Sequence, residues 1–174
     1  CEYLGHRKTQ VLDGGIQSWL QAGGVIDINP VVPPDLSGLP ISPQPDTHTN
    51  VEEILGQLDE PDFVVLDTRS ADEHYARVAR ADRAGAIPGS IHIEWTENLN
   101  PDGTFKPAHQ LQKMYNQVGV TFDKRVACYC QGGYRSAHSY LALRLLGYPR
   151  VSNYIGSWKE WGDRHDLPIE IRTD

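Results

Sequence analysis

Two cysteines, a glycine pair and an arginine stand within the eleven residues CYCQGGYRSAH, from Cys128 to His138. A cysteine thiolate is a strong nucleophile, and a glycine-rich backbone beside an arginine can bind an anion. Such a set suits the transfer of sulfur or of phosphate through a covalent intermediate on the cysteine. The first questions are therefore which cysteine reacts and with which element.

The position of this stretch between two predicted elements assigns the chemistry to Cys130. RVACYC, residues 125–130, is an apolar run typical of a buried strand, and a helical pattern follows soon after it. Ligands of parallel sheets bind where the strands end, which is where Cys130 falls. Gly132 and Gly133 allow the N–H groups of the loop to turn inward, while the helix N-terminus and Arg135 add positive charge. We expect these groups to lower the pKa of the Cys130 thiol.

Cys128 lies inside the predicted strand, so we expect it in the core and not in the reaction. Two other interpretations stay open at this point. Cys130 could be a small buried residue at a tight turn, and Cys-x-Cys could be a metal or redox pair. The metal interpretation is the weaker of these, because no second Cys or His pair has the spacing of a zinc site.

Length, charge and cysteine content limit the class of protein. The chain has 174 residues and 39% hydrophobic residues, which suits one ordinary domain with some additional chain. Its net charge of −7 argues against a general nucleic-acid or anionic-membrane surface. No apolar stretch approaches the roughly 18 to 20 residues of a membrane span. Three cysteines do not suggest a disulfide framework, which leaves the compartment open with the cytoplasm as our working expectation.

Alternating strand and helix patterns predict the fold class. Short apolar runs predict strands at residues 63–67, 125–130 and 150–155. Helical patterns separate them, one beginning after Asn50 or Thr49, and others at HQLQKMYNQVG and SAHSYLALRLLG. Strands that alternate with helices indicate an α/β fold with a parallel sheet covered on both faces.

An internal repeat indicates that the chain contains more than one unit. LGHRKTQVLDGGIQSW aligns with LGYPRVSNYIGSWKEW at a constant offset, which pairs four identical residues: Leu4 with Leu146, Gly5 with Gly147, Gly14 with Gly156, and Trp19 with Trp161. Duplication of a whole domain is our interpretation, and chance similarity of two segments containing Gly and Trp is the alternative. Residues 1–28 would then end an earlier copy. Residues 29–47, which hold half of the prolines, would be an extended linker before a domain at residues 48–174.

Several motifs resemble those of the rhodanese-type sulfurtransferases, in particular the tandem-domain thiosulfate-cleaving members. VVLDTRS, with Asp67 and Arg69, resembles the Leu-Val-Asp-x-Arg segment of that family, and RAGAIPGSIHIEW resembles its Gly-His-Ile-Pro-Gly-Ala signature. The sequence after Leu146 resembles its Gly-(Gly/Ser)-x-x-x-Trp ending. The six-residue active-site loop of the family resembles the stretch Cys130, Gln131, Gly132, Gly133, Tyr134 and Arg135, followed by Ser136.

The resemblance implies a rhodanese-like α/β fold, preceded by the tail of a second, inactive rhodanese-like module. It also implies a sulfurtransferase that takes a sulfane sulfur from thiosulfate as a persulfide on Cys130 and passes it to cyanide or a thiol, without a metal or organic cofactor. Arg135 is expected to bind the donor anion. Asp67 and Arg69 are expected to support the site. The residues of the substrate and persulfide-binding loop are expected to contribute mainly backbone N–H donors; these are Gln131, Gly132, Gly133, Tyr134 and Ser136.

The resemblance also suggests alternative sulfur donors, alternative functions and a partner for the leading segment. A 3-mercaptopyruvate donor and a non-catalytic, binding or regulatory rhodanese-like module are the alternative functions, although modules of the second kind usually lack the loop cysteine. Apolar residues within 1–28 predict contact with the rest of an amino-terminal module, as a docked fragment or as further chain. Two positions depart from the family pattern: the aromatic-x-Gly motif reads Tyr75-Ala76-Arg77, and Ala86 replaces the common His.

Among proteins related to this family, the number of residues between the active-site cysteine and arginine distinguishes sulfur transfer from phosphate chemistry. Related phosphatases and arsenate reductases place five residues between the cysteine and the arginine. Here four residues separate Cys130 from Arg135, and six separate Cys128 from Arg135. Neither count fits a phosphatase.

The remaining histidine and tryptophan side chains are expected to have structural roles. His138, one turn into the predicted helix, is the histidine best placed to assist the reaction, and Trp95 could line the cleft. The others are expected to be surface or packing residues, namely His74 and His92, or core and interface anchors, namely Trp158 and Trp161.

Overall fold

A computed structural model of the chain describes residues 1–6, 8–32 and 40–172. Five parallel strands form one sheet in this part of the chain, in the order β1-β5-β4-β2-β3. The strands are β1 His48–Thr49, β2 Phe63–Asp67, β3 Ile91–His92, β4 Arg125–Tyr129 and β5 Val151–Tyr154. The predicted parallel sheet is thus confirmed, and the three predicted strands are the three at its centre.

The helices of the described residues alternate with the strands. Their bounds are α1 Gly15–Gln21, α2 Val51–Leu55, α3 Ala71–His74, α4 Ala108–Gln117, α5 Tyr134–Leu145 and α6 Ser157–Asp163. Asn50 caps α2 with a reciprocal bond to Glu53, as its position before the helical pattern predicts. Helix α5 begins two residues before the predicted start at Ser136. The reason is that Gly133, with φ of 86°, takes the left-handed conformation and serves as the N-cap.

The sheet carries a hydrophobic core on each face, which is why its central strands read as continuous apolar runs. Successive residues of β2 alternate between the two cores, with Val64 and Leu66 in one and Val65 in the other. In β4, Val126 and Cys128 join the first core, and the residues between and after them join the second. Helices therefore cover both faces, as predicted.

The proline-rich linker predicted at residues 29–47 is described in part. Residues 33–39 lie outside the described residues, and Pro45–Thr47 form a single 3₁₀ turn directly before β1. None of the helices in the described ranges combines the length and the apolar character that a membrane crossing requires.

The leading segment repeats local features of the carboxyl-terminal one. The offset that aligns Gly5 with Gly147 also aligns helix α1 with helix α6, and both glycines have a left-handed φ, of 87° and 86°. Their environments differ, because Trp161 of α6 is fully buried whereas Trp19 of α1 is 44% exposed. Duplication of a domain stays a prediction that this correspondence supports.

Ala76, which stands where the family pattern has glycine, allows the backbone conformation at this position to be tested. Ala76 has φ of 59°, a left-handed value that is strained for a residue with a Cβ atom. We predict that Ala76→Gly raises the free energy of unfolding by roughly 1 kcal/mol in urea denaturation, because glycine adopts this conformation without the clash. The exposed helical residue Ala137 is the control, since Ala137→Gly should lower the same quantity by about 1 kcal/mol. An equal decrease in the free energy of unfolding in both variants would contradict the left-handed conformation of Ala76.

Candidate active site

Cys130 lies directly after β4, at the sheet edge where the strands end, and the loop behind it leads into helix α5. The residue is 1% exposed. Ser136, in the first turn of α5, places its hydroxyl oxygen 3.6 Å from Cys130 Sγ. The same hydroxyl oxygen lies 3.0 Å from the Gly133 carbonyl, which shares its single proton with the sulfur.

Hydrogen bonds from the loop decide the ionisation of Cys130. Burial by itself raises the pKa of the thiol, since a charged sulfur loses its hydration. The Ser136 hydroxyl and the backbone N–H groups of Ser136, Gly132 and Arg135 donate to the sulfur and outweigh this effect. The pKa of Cys130 is thereby lowered from its ordinary value, and the site favours a thiolate.

Arg135 is held in place by a buried carboxylate that the sequence analysis missed. Its two terminal nitrogens donate to Glu73, at 2.6 and 2.9 Å, and the Glu73 side chain is only 2% exposed. The pKa of Arg135 is raised, mainly by its bonds to Glu73 and to a smaller extent by Cys130. Burial raises the pKa of Glu73, but bonds from Arg135 and Ser70 reverse this and lower it. The motif Ser70-x-x-Glu73, a capping box at α3, was the sequence signal that could have drawn attention to Glu73.

The Glu73 carboxylate therefore has two functions. It accepts bonds from the backbone and hydroxyl of Ser70, which begins α3, and it accepts both bonds from Arg135 of the loop. A single anion links the start of one helix to the active loop. Because it partly neutralises the Arg135 charge, the loop N–H groups contribute a larger share of any anion binding at this edge.

Asp67 and Arg69 lie at the same sheet edge and pair with each other. Arg69 donates to Asp67 through Nε at 2.9 Å and through a terminal nitrogen at 2.6 Å, and both side chains are almost completely buried. Burial raises the pKa of Asp67, but the Arg69 charge and hydrogen bonds from His74 and Arg69 hold it far below its ordinary value. The position of this pair in the core is that of a scaffold.

Two further side chains complete the set of bonds around Asp67. The Tyr129 hydroxyl donates to the carboxylate at 2.7 Å, and His74 Nδ1 lies 2.8 Å from it. His74 is fully buried and stacks on His92 with ring centroids 4.6 Å apart. Of the two positions expected for His74, at the surface or in packing, the structure shows the packing one. Its ring is buried because the Asp67 carboxylate satisfies the ring nitrogen.

The other residues singled out in the sequence lie near the loop or in the core. Gln131 donates to the Arg80 carbonyl at 2.7 Å, whereas the Tyr134 side chain is 89% exposed. His138 stacks on Phe105 and meets Trp95 edge-on, and no bond from it to Cys130 is described. The two tryptophans predicted as anchors, Trp158 and Trp161, are buried.

Cys128 is separated from this site by its position in the strand. Its side chain is fully buried in the first core, where burial raises its pKa far above the ordinary value for a thiol. Within the described ranges, no three His, Cys, Asp or Glu side chains are grouped so that they could hold a metal ion. The geometry thus places one buried thiol with a lowered pKa, one arginine and a glycine-containing loop at the same end of the sheet.

The buried Asp67 carboxylate generates a prediction about stability and pH. Asp67→Asn should lower the free energy of unfolding at pH 7 by about 3–5 kcal/mol, because Arg69 would stay buried without its counter-ion. The depressed pKa means that the carboxylate contributes fully above its unfolded pKa near 4 and loses that contribution as the pH falls below it. The difference between the two proteins in urea denaturation should therefore shrink from about pH 4 towards pH 2.

The exposed ion pair of Asp72 with Arg77 provides the control, since the Asp72 side chain is 62% exposed. Asp72→Asn should change the stability little at any pH. A comparable loss in both variants, or a difference for Asp67→Asn that is as large at pH 2 as at pH 7, would contradict the buried ion pair.

The chain is similar to known proteins over nearly all of its length. It is 36% identical over 180 residues to the sulfur carrier protein TtuD of Thermus thermophilus, which covers 97% of this chain and 63% of the relative. It is 33% identical over 171 residues to the thiosulfate sulfurtransferase of Pseudomonas aeruginosa, which covers 98% of this chain and 62% of that protein. The chain therefore spans less than two thirds of the length of these two relatives.

Solved structures show the same fold. The anaerobic ergothioneine biosynthesis enzyme from Chlorobium limicola, in complex with trimethyl histidine, superimposes with a TM-score of 0.91 at 30% identity, covering 99% of this chain and 43% of that one. Residues 50–164, which contain the sheet from α2 onward and the Cys130 loop, match the family of the rhodanese-like domain. The resemblance seen in the motifs is thus confirmed, and the chain belongs to the rhodanese-like family.

Proposed function

We propose that this protein is a rhodanese-type sulfurtransferase that carries a sulfane sulfur on Cys130 and takes that sulfur from thiosulfate. The observation that carries the proposal is a buried sulfur directly after β4, with the Ser136 hydroxyl oxygen 3.6 Å from it and Arg135 held nearby by Glu73; the Ser136 hydroxyl and the loop N–H groups lower the pKa of this thiol. This arrangement stabilises a thiolate before reaction and a negatively charged persulfide after it.

The first half of the proposed reaction loads the cysteine. The Cys130 thiolate attacks the outer sulfur of thiosulfate and forms a new S–S bond. The bond between the two sulfurs of thiosulfate breaks, and its electron pair leaves with sulfite. Charge is conserved, because the thiolate and the dianion become a persulfide anion and the sulfite dianion. The loop N–H groups that held the thiolate are then close to the charge of the persulfide.

The second half returns the cysteine to its starting state. A nucleophilic acceptor, cyanide or a thiolate, attacks the terminal sulfur of the persulfide. The S–S bond breaks and its electron pair returns to Cys130, so that a thiolate is regenerated and the acceptor leaves with the sulfur. The scheme is a two-step exchange in which the donor product leaves before the acceptor reacts.

Thiosulfate is the donor that we favour over 3-mercaptopyruvate. Arg135 follows the loop as a permanent cation that Glu73 neutralises only in part, and a cation beside the loop suits an anionic donor. Relatives named thiosulfate sulfurtransferase, including the one from Pseudomonas aeruginosa, support the same choice. The loop is also too short for phosphate chemistry by the comparison above, with four residues between Cys130 and Arg135.

Exposed apolar side chains in the leading segment, residues 1–28, support the proposal that this segment contacts a partner. Helix α1 buries no residue, and Ile16, Trp19 and Leu20 are each about half exposed. We propose that residues 1–28 pack against a further rhodanese-like module, which the alignment of α1 with α6 supports.

Sulfur loading is the direct test of this proposal. The reduced protein is incubated with thiosulfate, and the peptide containing Cys130 is examined by mass spectrometry. We expect a gain of one sulfur atom on Cys130, which cyanide removes as thiocyanate. Replacement of the nucleophile, Cys130→Ser, should abolish both loading and turnover, since a serine hydroxyl is not ionised at neutral pH.

Cys128→Ser is the matched control, because it changes the neighbouring cysteine and should leave loading intact. A folded, reduced protein that gains no sulfur would contradict the proposal, and so would a loss of loading in Cys128→Ser alone. If 3-mercaptopyruvate loaded Cys130 faster than thiosulfate, the proposed persulfide would stand, but the proposed donor would be wrong.

A further inference from the structure

The start of helix α6 packs against the back of the Cys130 loop. Ser157, the first residue of this helix, is fully buried. Its hydroxyl oxygen accepts bonds from the backbone N–H groups of Cys130 and Gly133, both at 3.1 Å, and the hydroxyl donates to the Tyr154 carbonyl at 2.7 Å. One side chain thus binds the loop at the reactive cysteine and at the N-cap of α5, and is itself fixed to β5.

The next two residues of α6 bind the carbonyl groups of the same loop. The N–H groups of Trp158 and Lys159 donate to the carbonyls of Cys130 and Gln131, at 2.9 and 3.0 Å. No side chain caps α6, so these loop carbonyls satisfy donors that the first helical turn leaves free. The loop and the helix therefore determine each other's conformation.

The direction of these carbonyls fixes the direction of the N–H groups that face the sulfur. In a planar trans peptide unit the C=O and N–H bonds point to opposite sides. The Gln131 carbonyl points to α6, so the Gly132 N–H in the same peptide unit points away from α6. That N–H is one of the backbone groups that lower the pKa of the Cys130 thiol. The contacts with α6 thus orient the Gly132 N–H group from the side of the loop opposite the sulfur.

Ser157 occupies a backbone conformation that is costly for a serine. Its φ is 54°, in the left-handed region that glycine adopts freely. A glycine would relieve the strain but could not supply the hydroxyl. Strain that is kept at a fully buried residue beside an active loop indicates that the side chain serves that loop.

We propose that Ser157 is a positioning residue, whose hydroxyl holds the Cys130 loop in the conformation that directs its N–H groups at the sulfur. This inference rests on the proposed function of Cys130 as a thiolate nucleophile. The helix that carries Ser157 is well anchored for this purpose, because Trp158 and Trp161 are buried and their ring nitrogens donate to the carbonyls of Arg83 and Pro168.

Two substitutions separate the role of the hydroxyl from that of the backbone. Ser157→Gly removes the hydroxyl and relieves the left-handed strain, whereas Ser157→Ala removes the hydroxyl and keeps the strain. The thiolate of Cys130 is followed by its ultraviolet absorbance as a function of pH, with the signal of a Cys130→Ser protein subtracted. Sulfur transfer from thiosulfate to cyanide is measured in parallel, and folding is checked by circular dichroism and thermal unfolding.

We expect the midpoint of the thiolate titration to rise by about one pH unit in both variants, since the donors lose their alignment. The kcat for sulfur transfer should fall on the order of tenfold or more. Thermal unfolding should be less affected in Ser157→Gly than in Ser157→Ala. Ser139 is the control, a buried serine on α5 that accepts a bond from Asn98, and Ser139→Ala should leave the titration unchanged.

A wild-type titration midpoint and wild-type turnover in folded Ser157→Gly would overturn the proposal. A midpoint that rises equally in Ser139→Ala would also overturn it, because loss of any buried hydroxyl would then have the same effect. If the wild-type protein transfers no sulfur, the proposed function fails, while the titration still decides whether Ser157 positions the loop.

Discussion

The hydrogen bonds that converge on the sulfur of Cys130 are the interaction on which the rest of the site depends. A buried thiol ordinarily stays protonated, because its anion loses hydration and gains nothing in return. Here the backbone of a short loop replaces the lost water with fixed donors, and the pKa of the thiol falls below its ordinary value. Such donors are effective only if the loop cannot relax, since a small displacement of an N–H group weakens its bond to the sulfur.

Three separate contacts keep the loop from relaxing. Glu73 binds Arg135 and links the loop to α3, while Ser157 and the start of α6 bind its backbone from the other side. The Asp67 carboxylate, buried with Arg69 and Tyr129, fixes the strand end from which the loop departs. The chemistry occupies a few atoms, and most of the surrounding polar bonds orient those atoms.

The sequence was sufficient for the parts of this account that are local in the chain. The strand that leads to Cys130, the presence of a helix soon after it and the core position of Cys128 follow from patterns of a few residues, whereas the start of α5 at Gly133 was not predicted. Contacts between distant segments were not predictable in this way. Glu73 meets Arg135 across 62 positions, and Ser157 meets Cys130 across 27. For His74 the sequence left a surface and a packing position open, and the bond to the buried Asp67 carboxylate decides for packing.

A crystal structure of the protein after exposure to thiosulfate tests the central claim most directly. We expect density for a second sulfur on Cys130 Sγ, within hydrogen-bond distance of the N–H groups of the loop. Ser157 should keep its bonds to the loop in that structure. A second sulfur on another cysteine, or a loaded Cys130 whose loop has turned its carbonyl groups towards the sulfur, would contradict it.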